Sequence, residues 1–171
     1  MHDRLTRSDI AKIEAEIEER KLVRRPELIA AVKEARAQGD LSENFEYHAA
    51  RREKNQNESR IAYLEDMIAT AIIIDDDEKA AEDDGVAALD KTVEVYFPED
   101  DETETYRIVT TIRGNSLKGL ISIDSPIGKA LIGHKAGDTV TVHVNENVSY
   151  DLQIRSVGAA EDDSDDRIKG F

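Results

Sequence analysis

The 171-residue chain contains neither cysteine nor tryptophan. Without cysteine, disulfides and thiolate metal sites are both excluded. No apolar run approaches the ~20 residues that a membrane span requires. The first ten residues, MHDRLTRSDI, also lack the apolar stretch of a signal peptide. We therefore expect a cytoplasmic protein with no membrane segment.

Basic residues are scarce, above all in the second half of the chain. The formal net charge is −15. Residues 1–75 carry 13 Lys and Arg against 16 Asp and Glu, whereas residues 76–171 carry 10 against 22. This field repels a phosphate backbone, so we expect no autonomous DNA binding. The acidic half suits a protein partner with a basic surface, although solubility alone would explain it equally well.

Residues 1–75 are predicted to form an antiparallel coiled-coil hairpin. The first arm has apolar residues three and four apart, at Ile10, Ile13, Ile17, Leu28, Val32 and Ala35. Thr6 and Asp9 fit a capping arrangement at its start. Pro26 predicts a kink or a loosened turn, and Gly39 marks the end of the arm. The second arm is predicted to begin near residues 42–43 and to end near residue 71, which gives a hairpin roughly 45 Å long.

The middle of the hairpin is unusually polar. Residues 51–60, RREKNQNESR, contain no apolar residue, so we expect a loose seam there. Six cations form a predicted basic band: Arg24, Arg25, Arg51, Arg52, Lys54 and Arg60. On spacing alone, a solvated helix face with ion pairs four residues apart explains this band as well.

The second half changes to the alternating and β-branched patterns of strands. Residues 76–85 read as an acidic linker, residues 86–158 as a globular domain and residues 159–171 as an acidic, flexible tail. Within the domain, Ser125 and Pro126 predict the start of one short helix that ends before Gly133. The fold class is therefore α+β: a helical hairpin followed by a small antiparallel β domain with one short helix.

Asp40 and Glu43, in the stretch GDLSENFEYHAAR, are the candidate chemical pair. As N-cap and third helical residue they would form a capping box at the start of the second arm. Local sequence favours this capping box, but three residues apart the two carboxylates could also share one Mg²⁺, an ion that takes carboxylate ligands and usually keeps waters or substrate phosphates. There is no Walker loop, dinucleotide fingerprint or HExxH helix, and the four histidines are scattered. Such a pair at the end of a hairpin has catalytic use only if a partner supplies the pocket.

The sequence contains two separated motifs: VRRPELIAAV followed by EARAQGDLSENFEYHAAR, and ISIDSPIGKALIG followed by AGDTV. Both resemble motifs of the bacterial GreA/GreB transcript cleavage factors. The resemblance implies a coiled coil and a globular domain similar to FK506-binding proteins. It also implies that the coiled coil enters the secondary channel of RNA polymerase and stimulates the polymerase's own cleavage of backtracked RNA. The protein would thus act on another enzyme rather than be one.

The resemblance also implies roles for individual residues. Asp40 and Glu43 would be the catalytic pair and would share Mg²⁺ only inside the polymerase, with no cofactor of the protein's own. Leu41, Ser42, Asn44 and Tyr47 would shape the tip. The basic band would contact the nascent RNA 3′ segment. Docking to the polymerase is assigned to Ser125, Pro126, Ile127, Gly128 and Lys129. The protein is expected to act as a monomer.

The sequence departs from the family pattern at two places. Asn55–Ile61 lacks the aromatic residue and glycine usual in the family's second helix, and Leu89 stands where a glycine is common.

Three alternatives to a transcript cleavage factor exist. A related protein could enter the same channel and inhibit or compete. A prolyl isomerase would need an aromatic-lined cavity, for which the second half has few aromatic residues. A structural coiled-coil adaptor without a catalytic role is the third alternative.

Overall fold

The computed structural model describes residues 3–39, 44–74 and 84–170. They divide into two compact units, a helical unit within Ile10–Ala71 and a globular unit made of Asp3–Asp9 and Ile72–Gly170. In sequence, the helical unit is therefore an insertion in the globular unit. The predicted hairpin extended from residue 1, whereas the structure groups residues 3–9 with the strands.

The secondary structure is that of an α+β protein, as predicted. The helices are α1 (Arg7–Glu19), a π-helical segment (Arg20–Arg24), α2 (Arg25–Ala37), α3 (Phe45–Thr70) and α4 (Pro126–Leu131). The strands are β1 (Arg4–Thr6), β2 (Ile72–Ile74), β3 (Lys91–Phe97), β4 (Glu102–Val109), β5 (Leu120–Ser122), β6 (Thr139–His143) and β7 (Ser149–Ala160).

The start of α1 has the predicted capping arrangement. The Thr6 N–H donates to Asp9 Oδ2 at 3.0 Å, and the Asp9 N–H donates to Thr6 Oγ1 at 3.1 Å. This reciprocal pair satisfies two amides that have no partner inside the helix.

The π-helical segment interrupts the first arm and ends at Arg24, two residues before Pro26, where the sequence predicted a kink or a loosened turn. Proline has no N–H with which to continue the α-helical pattern at this point. The N–H of Arg25 bonds instead to the carbonyl of Arg20, five residues back. That wider ring is the definition of a π-turn.

The seam of the hairpin is filled at mid-arm by polar side chains, so the predicted loosening is not what the structure has. Asn57 and Arg60 lie in the segment without apolar residues, yet they are only 3% and 2% exposed. Arg60 pairs with Glu16 at 3.1 Å, and Asn57 Oδ1 accepts a 3.0 Å bond from Arg20. Arg20 also pairs with Glu16 at 3.0 Å. Buried polar groups are tolerated because each of them is hydrogen-bonded.

Five strands of the globular unit form one sheet in the order β5–β4–β3–β7–β6. Three neighbouring pairs are antiparallel, but β4 and β5 are parallel, so the sheet is mixed rather than purely antiparallel. A parallel pair needs a crossover connection instead of a hairpin turn. Here the chain passes through two 3₁₀ turns, Thr111–Arg113 and Ser116–Lys118. A second small sheet pairs β1 with β2, also in parallel.

The apolar core of the globular unit follows the alternation of the strands. Alternate residues of β3, β6 and β7 point to one side and are buried: Val93, Val95, Val140, Val142, Leu152 and Ile154. Leu131 of α4 joins the same core. The period of two in the sequence therefore marks the buried face correctly.

The C-terminal residues pack against the globular unit as far as they are described. Asp166 pairs with Arg113 at 2.8 Å and also with Arg107, and the Lys169 N–H donates to the Ile112 carbonyl at 2.8 Å. The sequence predicted a flexible tail because the stretch is acidic and poor in apolar residues. That composition does not reveal the two arginines that bind it.

Candidate functional site

The first arm ends where glycine predicted it would. α2 closes with Gln38 as C-cap, and Gly39 follows with φ of +133°. Side chains with a Cβ rarely adopt that region, so glycine suits this turn. Asp40, Leu41, Ser42 and Glu43 come next in the chain and lie outside the described residues.

The second arm begins at Phe45, with Asn44 as its N-cap. Asn44 Oδ1 accepts a 3.0 Å bond from the N–H of Tyr47, the third helical residue. The alternative in which Asp40 and Glu43 cap this helix is therefore wrong, because α3 is capped by Asn44. Asn is as good an N-cap as Asp, and spacing alone does not choose between neighbouring candidates.

Asn44 also contacts the end of the first arm. Its Nδ2 donates to the carbonyl of Ala35, in the last turn of α2, at 2.6 Å. Carbonyls in the last helical turn have no partner inside the α-helical pattern. One side chain thus binds a carbonyl in the last turn of α2 and a free amide of α3.

Tyr47 is a second link between the arms. It is 8% exposed, its hydroxyl accepts a long 3.4 Å bond from Arg36, and the Arg36 guanidinium lies 5.6 Å from its ring centre. Hydrogen bonding from Arg36, aided by the charges of Arg36 and Arg51, lowers the pKa of Tyr47 despite partial desolvation. The His48 ring meets Tyr47 edge-on, at 5.4 Å between ring centres.

Comparison with known proteins decides the family. A family model described as "Transcription elongation factor, N-terminal" matches residues 4–73, and one described as "Transcription elongation factor, GreA/GreB, C-term" matches residues 82–159. The chain belongs to the GreA/GreB family of transcription elongation factors. This confirms the resemblance carried by the two sequence motifs.

Two GreA relatives agree with this assignment, and one solved structure is also similar to this chain. Transcription elongation factor GreA of Limosilactobacillus fermentum is 43% identical over 155 residues, which cover 90% of this chain and 94% of the relative. GreA of Streptococcus pneumoniae serotype 19F is 43% identical over 153 residues, covering 90% and 93%. The crystal structure of the GreA factor homolog 1 (Gfh1) protein of Thermus thermophilus covers 93% of this chain and all of that one, at 26% identity and a TM-score of 0.41.

Within the described ranges, only some cations in the basic band of this GreA/GreB family member are exposed and not paired with a nearby acidic residue. Arg51 and Arg52 are exposed and line an open groove along α3. Arg25 is occupied by Glu58 at 2.7 Å, and Arg24 lies 3.9 Å from Glu27. Both acidic partners belong to the same helical unit, so these two arginines are already partly neutralised.

Arg60 does not belong in the basic band. Its guanidinium is buried in the hairpin seam against Glu16 and is closed to solvent. A buried, paired arginine cannot present charge to an RNA backbone. Lys54 is partly buried. The solvent-facing part of the predicted band is centred on Arg51 and Arg52.

The predicted docking residues form the start of α4 in the globular unit. Ser125 caps α4 by accepting a 3.1 Å bond from the Gly128 N–H, and Pro126 occupies the first turn, as predicted. Gly128 is required by packing, because a Cβ there would lie 2.0 Å from the Ser122 carbonyl oxygen. Pro126 and Lys129 are exposed, and Ile127 is partly buried.

Sequence reasoning missed the polar residues that hold the hairpin together. A signal for them exists: Asn57 and Arg60 are three apart and continue the inward spacing to Ile61 and Leu64. Reading polar residues as outward-facing hides this continuity. The link from Asn44 to Ala35 leaves no such signal.

Over residues 3–39, 44–74 and 84–170, no group of three or more His, Asp or Glu side chains is arranged to hold a metal ion. Across the same ranges, no helix has the length and apolar character needed to cross a membrane.

Proposed function

We propose that this elongation factor inserts its hairpin into the RNA polymerase secondary channel and stimulates the polymerase's cleavage of backtracked RNA. Cleavage would create a new RNA 3′ end in register and rescue arrested complexes. The factor would not be a nuclease itself, since the polymerase supplies the catalytic centre. Its partners would be bacterial RNA polymerase and the RNA 3′ segment within the complex, and it would act in the cytoplasm as a monomer.

The observation that carries this proposal is the capping of α3 by Asn44 in a chain of the GreA/GreB family. Asp40 and Glu43 precede that cap by four residues and one residue. Since Asn44 supplies the N-cap, the capping role that spacing suggested for Asp40 is already taken. This favours the other role of the pair, in binding Mg²⁺.

Asp40 and Glu43 fit Mg²⁺ by the chemistry of their donor atoms. Carboxylate oxygens are preferred Mg²⁺ ligands, and sites with one or two carboxylates normally rely on substrate phosphates and water for the remaining ligands. Two carboxylates alone hold the ion weakly, so the polymerase would have to contribute. When bound, Mg²⁺ offsets phosphate charge and lowers the pKa of a coordinated water.

The remaining residues of the hairpin would guide RNA and orient the tip. Two carboxylates repel an RNA phosphate, and the exposed Arg51 and Arg52, eight or more residues after Glu43, oppose that repulsion. The buried Tyr47 and its Arg36 partner hold the two arms together beside the tip residues.

The globular unit would dock at the polymerase surface through the start of α4. Pro126 and Lys129 are its exposed members, and the cap by Ser125 holds the turn in place. The acidic surface of this half favours a basic docking site on the polymerase.

The test uses a purified backtracked polymerase complex with labelled RNA, Mg²⁺ and the full-length factor. We expect accelerated release of short 3′ fragments. Asp40→Ala and Glu43→Ala should each lose at least about tenfold of this stimulation, because each removes a charged ligand, while competing normally with wild type for the polymerase. His143→Ala, on an exposed part of β6, serves as the control.

Other outcomes would point elsewhere. If both tip variants stimulate cleavage as well as the wild type does, the assignment of Asp40 and Glu43 fails. If the wild-type factor slows elongation and cleavage alike, the protein is an inhibitor that competes for the same channel.

A further inference from the structure

Asn44 joins the two helices on either side of the tip. Its amide group accepts from the Tyr47 N–H at 3.0 Å and donates to the Ala35 carbonyl at 2.6 Å. Ala35 is buried, and its carbonyl also accepts from the Gln38 N–H at 3.3 Å. The last turn of α2 and the first turn of α3 are therefore tied through one side chain.

The chemistry of these two bonds is specific to a side-chain amide. An N-cap needs only an acceptor, which Ser, Thr and Asp supply as well as Asn does. The bond to the Ala35 carbonyl needs a donor at the same time. Ionised Asp has no donor, and a Ser hydroxyl is too short to bridge both partners.

The position of this link in the chain gives it functional weight. Gly39 and Asn44 are the described residues that flank the four-residue segment with Asp40 and Glu43. The bond to Ala35 holds Asn44, which follows that segment, against α2, which precedes it. Restricting the ends reduces the number of positions that the carboxylates can reach, and small displacements of catalytic groups are costly.

We propose that Asn44 is a positioning residue that holds Asp40 and Glu43 in the arrangement needed for transcript cleavage. The proposal rests on the proposed function. It assigns Asn44 two separable tasks: capping α3, which any good N-cap residue can perform, and tying α2 to α3, which requires the amide. Asn44 touches neither RNA nor metal in this role, and it acts only through the carboxylates.

The decisive variant is Asn44→Ser, which keeps an N-cap acceptor, adds no charge and removes the donor to Ala35. In the full-length factor, we expect the Tyr47 amide to keep its hydrogen-exchange protection and the Ala35 carbonyl ¹³C shift to change. In the backtracked complex, the cleavage rate at saturating factor should fall about tenfold. The factor concentration for half-maximal rate should stay constant, and the Mg²⁺ concentration for half-maximal rate should rise.

Three further variants separate the possible outcomes. Asn44→Ala should lose both bonds, so Tyr47 protection falls as well as the rate. Asn44→Asp keeps the cap but adds charge, and its rate should also fall. Asn147→Asp makes the same chemical change in the exposed β6–β7 turn and should leave the rate and both NMR signals unchanged.

Wild-type cleavage by Asn44→Ser, with the Ala35 shift changed, would overturn the proposal and leave Asn44 as a helix cap only. A change in half-maximal factor concentration without a change in saturated rate would overturn it too. If the wild-type factor itself fails to stimulate cleavage, the proposed function falls and the positioning role falls with it, a result distinct from both of these.

Discussion

The two units of the protein bury charge in different ways. In the hairpin, Glu16 binds both Arg20 and Arg60 beside Asn57, and the Glu16 side chain remains 21% exposed. In the globular unit, Arg113 is fully buried between Asp9 at 2.8 Å and Asp90 at 2.7 Å. The first cluster lies in a two-helix seam at the edge of solvent, whereas the second lies inside a packed unit.

This difference sets how much each cluster depends on a single side chain. In the hairpin cluster of Glu16, Arg20, Asn57 and Arg60, the carboxylate has two arginine partners. Glu16 therefore keeps Arg20 as a partner when Arg60 is removed. The globular cluster centres on one guanidinium that holds buried carboxylates from separate segments of chain. Burial alone would lower the pKa of Arg113, but bonds and charge from Asp90, Asp9 and Asp166 raise it above its ordinary value. Arg113 is therefore charged at every pH at which the protein folds.

The largest effect is expected from Arg113→Met. Removing one partner of a buried ion pair leaves uncompensated charge and typically costs about 3–5 kcal/mol. This loss of stability should appear as faster hydrogen exchange of the backbone amides in β3 and β7. Arg167→Met, at an exposed position, is the matched control. Equal protection in the two variants would show that the globular cluster contributes no more than a surface charge does.

A smaller effect is expected from Arg60→Met in the hairpin. The variant keeps the aliphatic bulk and leaves Glu16 with Arg20 and access to water, so a loss of about 1.5–3 kcal/mol is expected. The loss should appear as reduced amide protection in α3. Arg52→Met on the exposed face of α3 is the control. A loss as large as that from Arg113→Met would break the contrast between the two clusters.

The smallest effect concerns the surface pair between Arg25 and Glu58. The hydrogen bond from Arg25 lowers the pKa of Glu58 below its ordinary value, against partial desolvation. A carboxylate whose pKa is lower in the folded state than in the unfolded state stabilises the fold at pH values above its pKa in the unfolded state. This contribution is lost as the pH falls through its pKa in the folded state. Between about pH 5 and pH 3, wild type should thus lose more α3 stability than Glu58→Gln.

Thermal unfolding followed by circular dichroism at several pH values measures this difference. Glu53→Gln replaces an exposed carboxylate on the same helix by an amide. This control should lose as much stability as the wild type when the pH falls. High salt should reduce the difference, because exposed ion pairs are screened. An unchanged difference in 1 M salt would contradict an electrostatic origin.

Much of the fold could be predicted because it follows from local patterns. The spacing of Ile61 and Leu64 marks the inner face of α3, and alternation marks the buried side of β3 and β7. Gly39 and Ser125 mark a helix end and a helix start through backbone chemistry. Partners far apart in the chain were not predictable in this way. The parallel pairing of β4 with β5 is one example, and the grouping of residues 3–9 with the strands is another.

The residues of the candidate site also fall into those that local sequence could predict and those that it could not. The pair Asp40 and Glu43 could be selected from residue type and spacing, and the GreA/GreB motifs gave it a function to test. The choice of Asn44 as the cap could not be made, because several neighbouring polar residues are equally good caps. The burial of Arg60 was also missed, since a cation in a polar stretch is normally exposed.

The sequence by itself determined the helical hairpin, the alternating strands and membership of the GreA/GreB family. These features depend on residues close together in the chain and on motifs that are read directly. Only the tertiary structure decided which polar groups meet: Asn44 with Ala35, Arg60 with Glu16, and Arg113 with Asp9 and Asp90. A polar side chain is stable in solvent or buried with a partner, and the choice depends on which distant groups the fold brings within bonding distance.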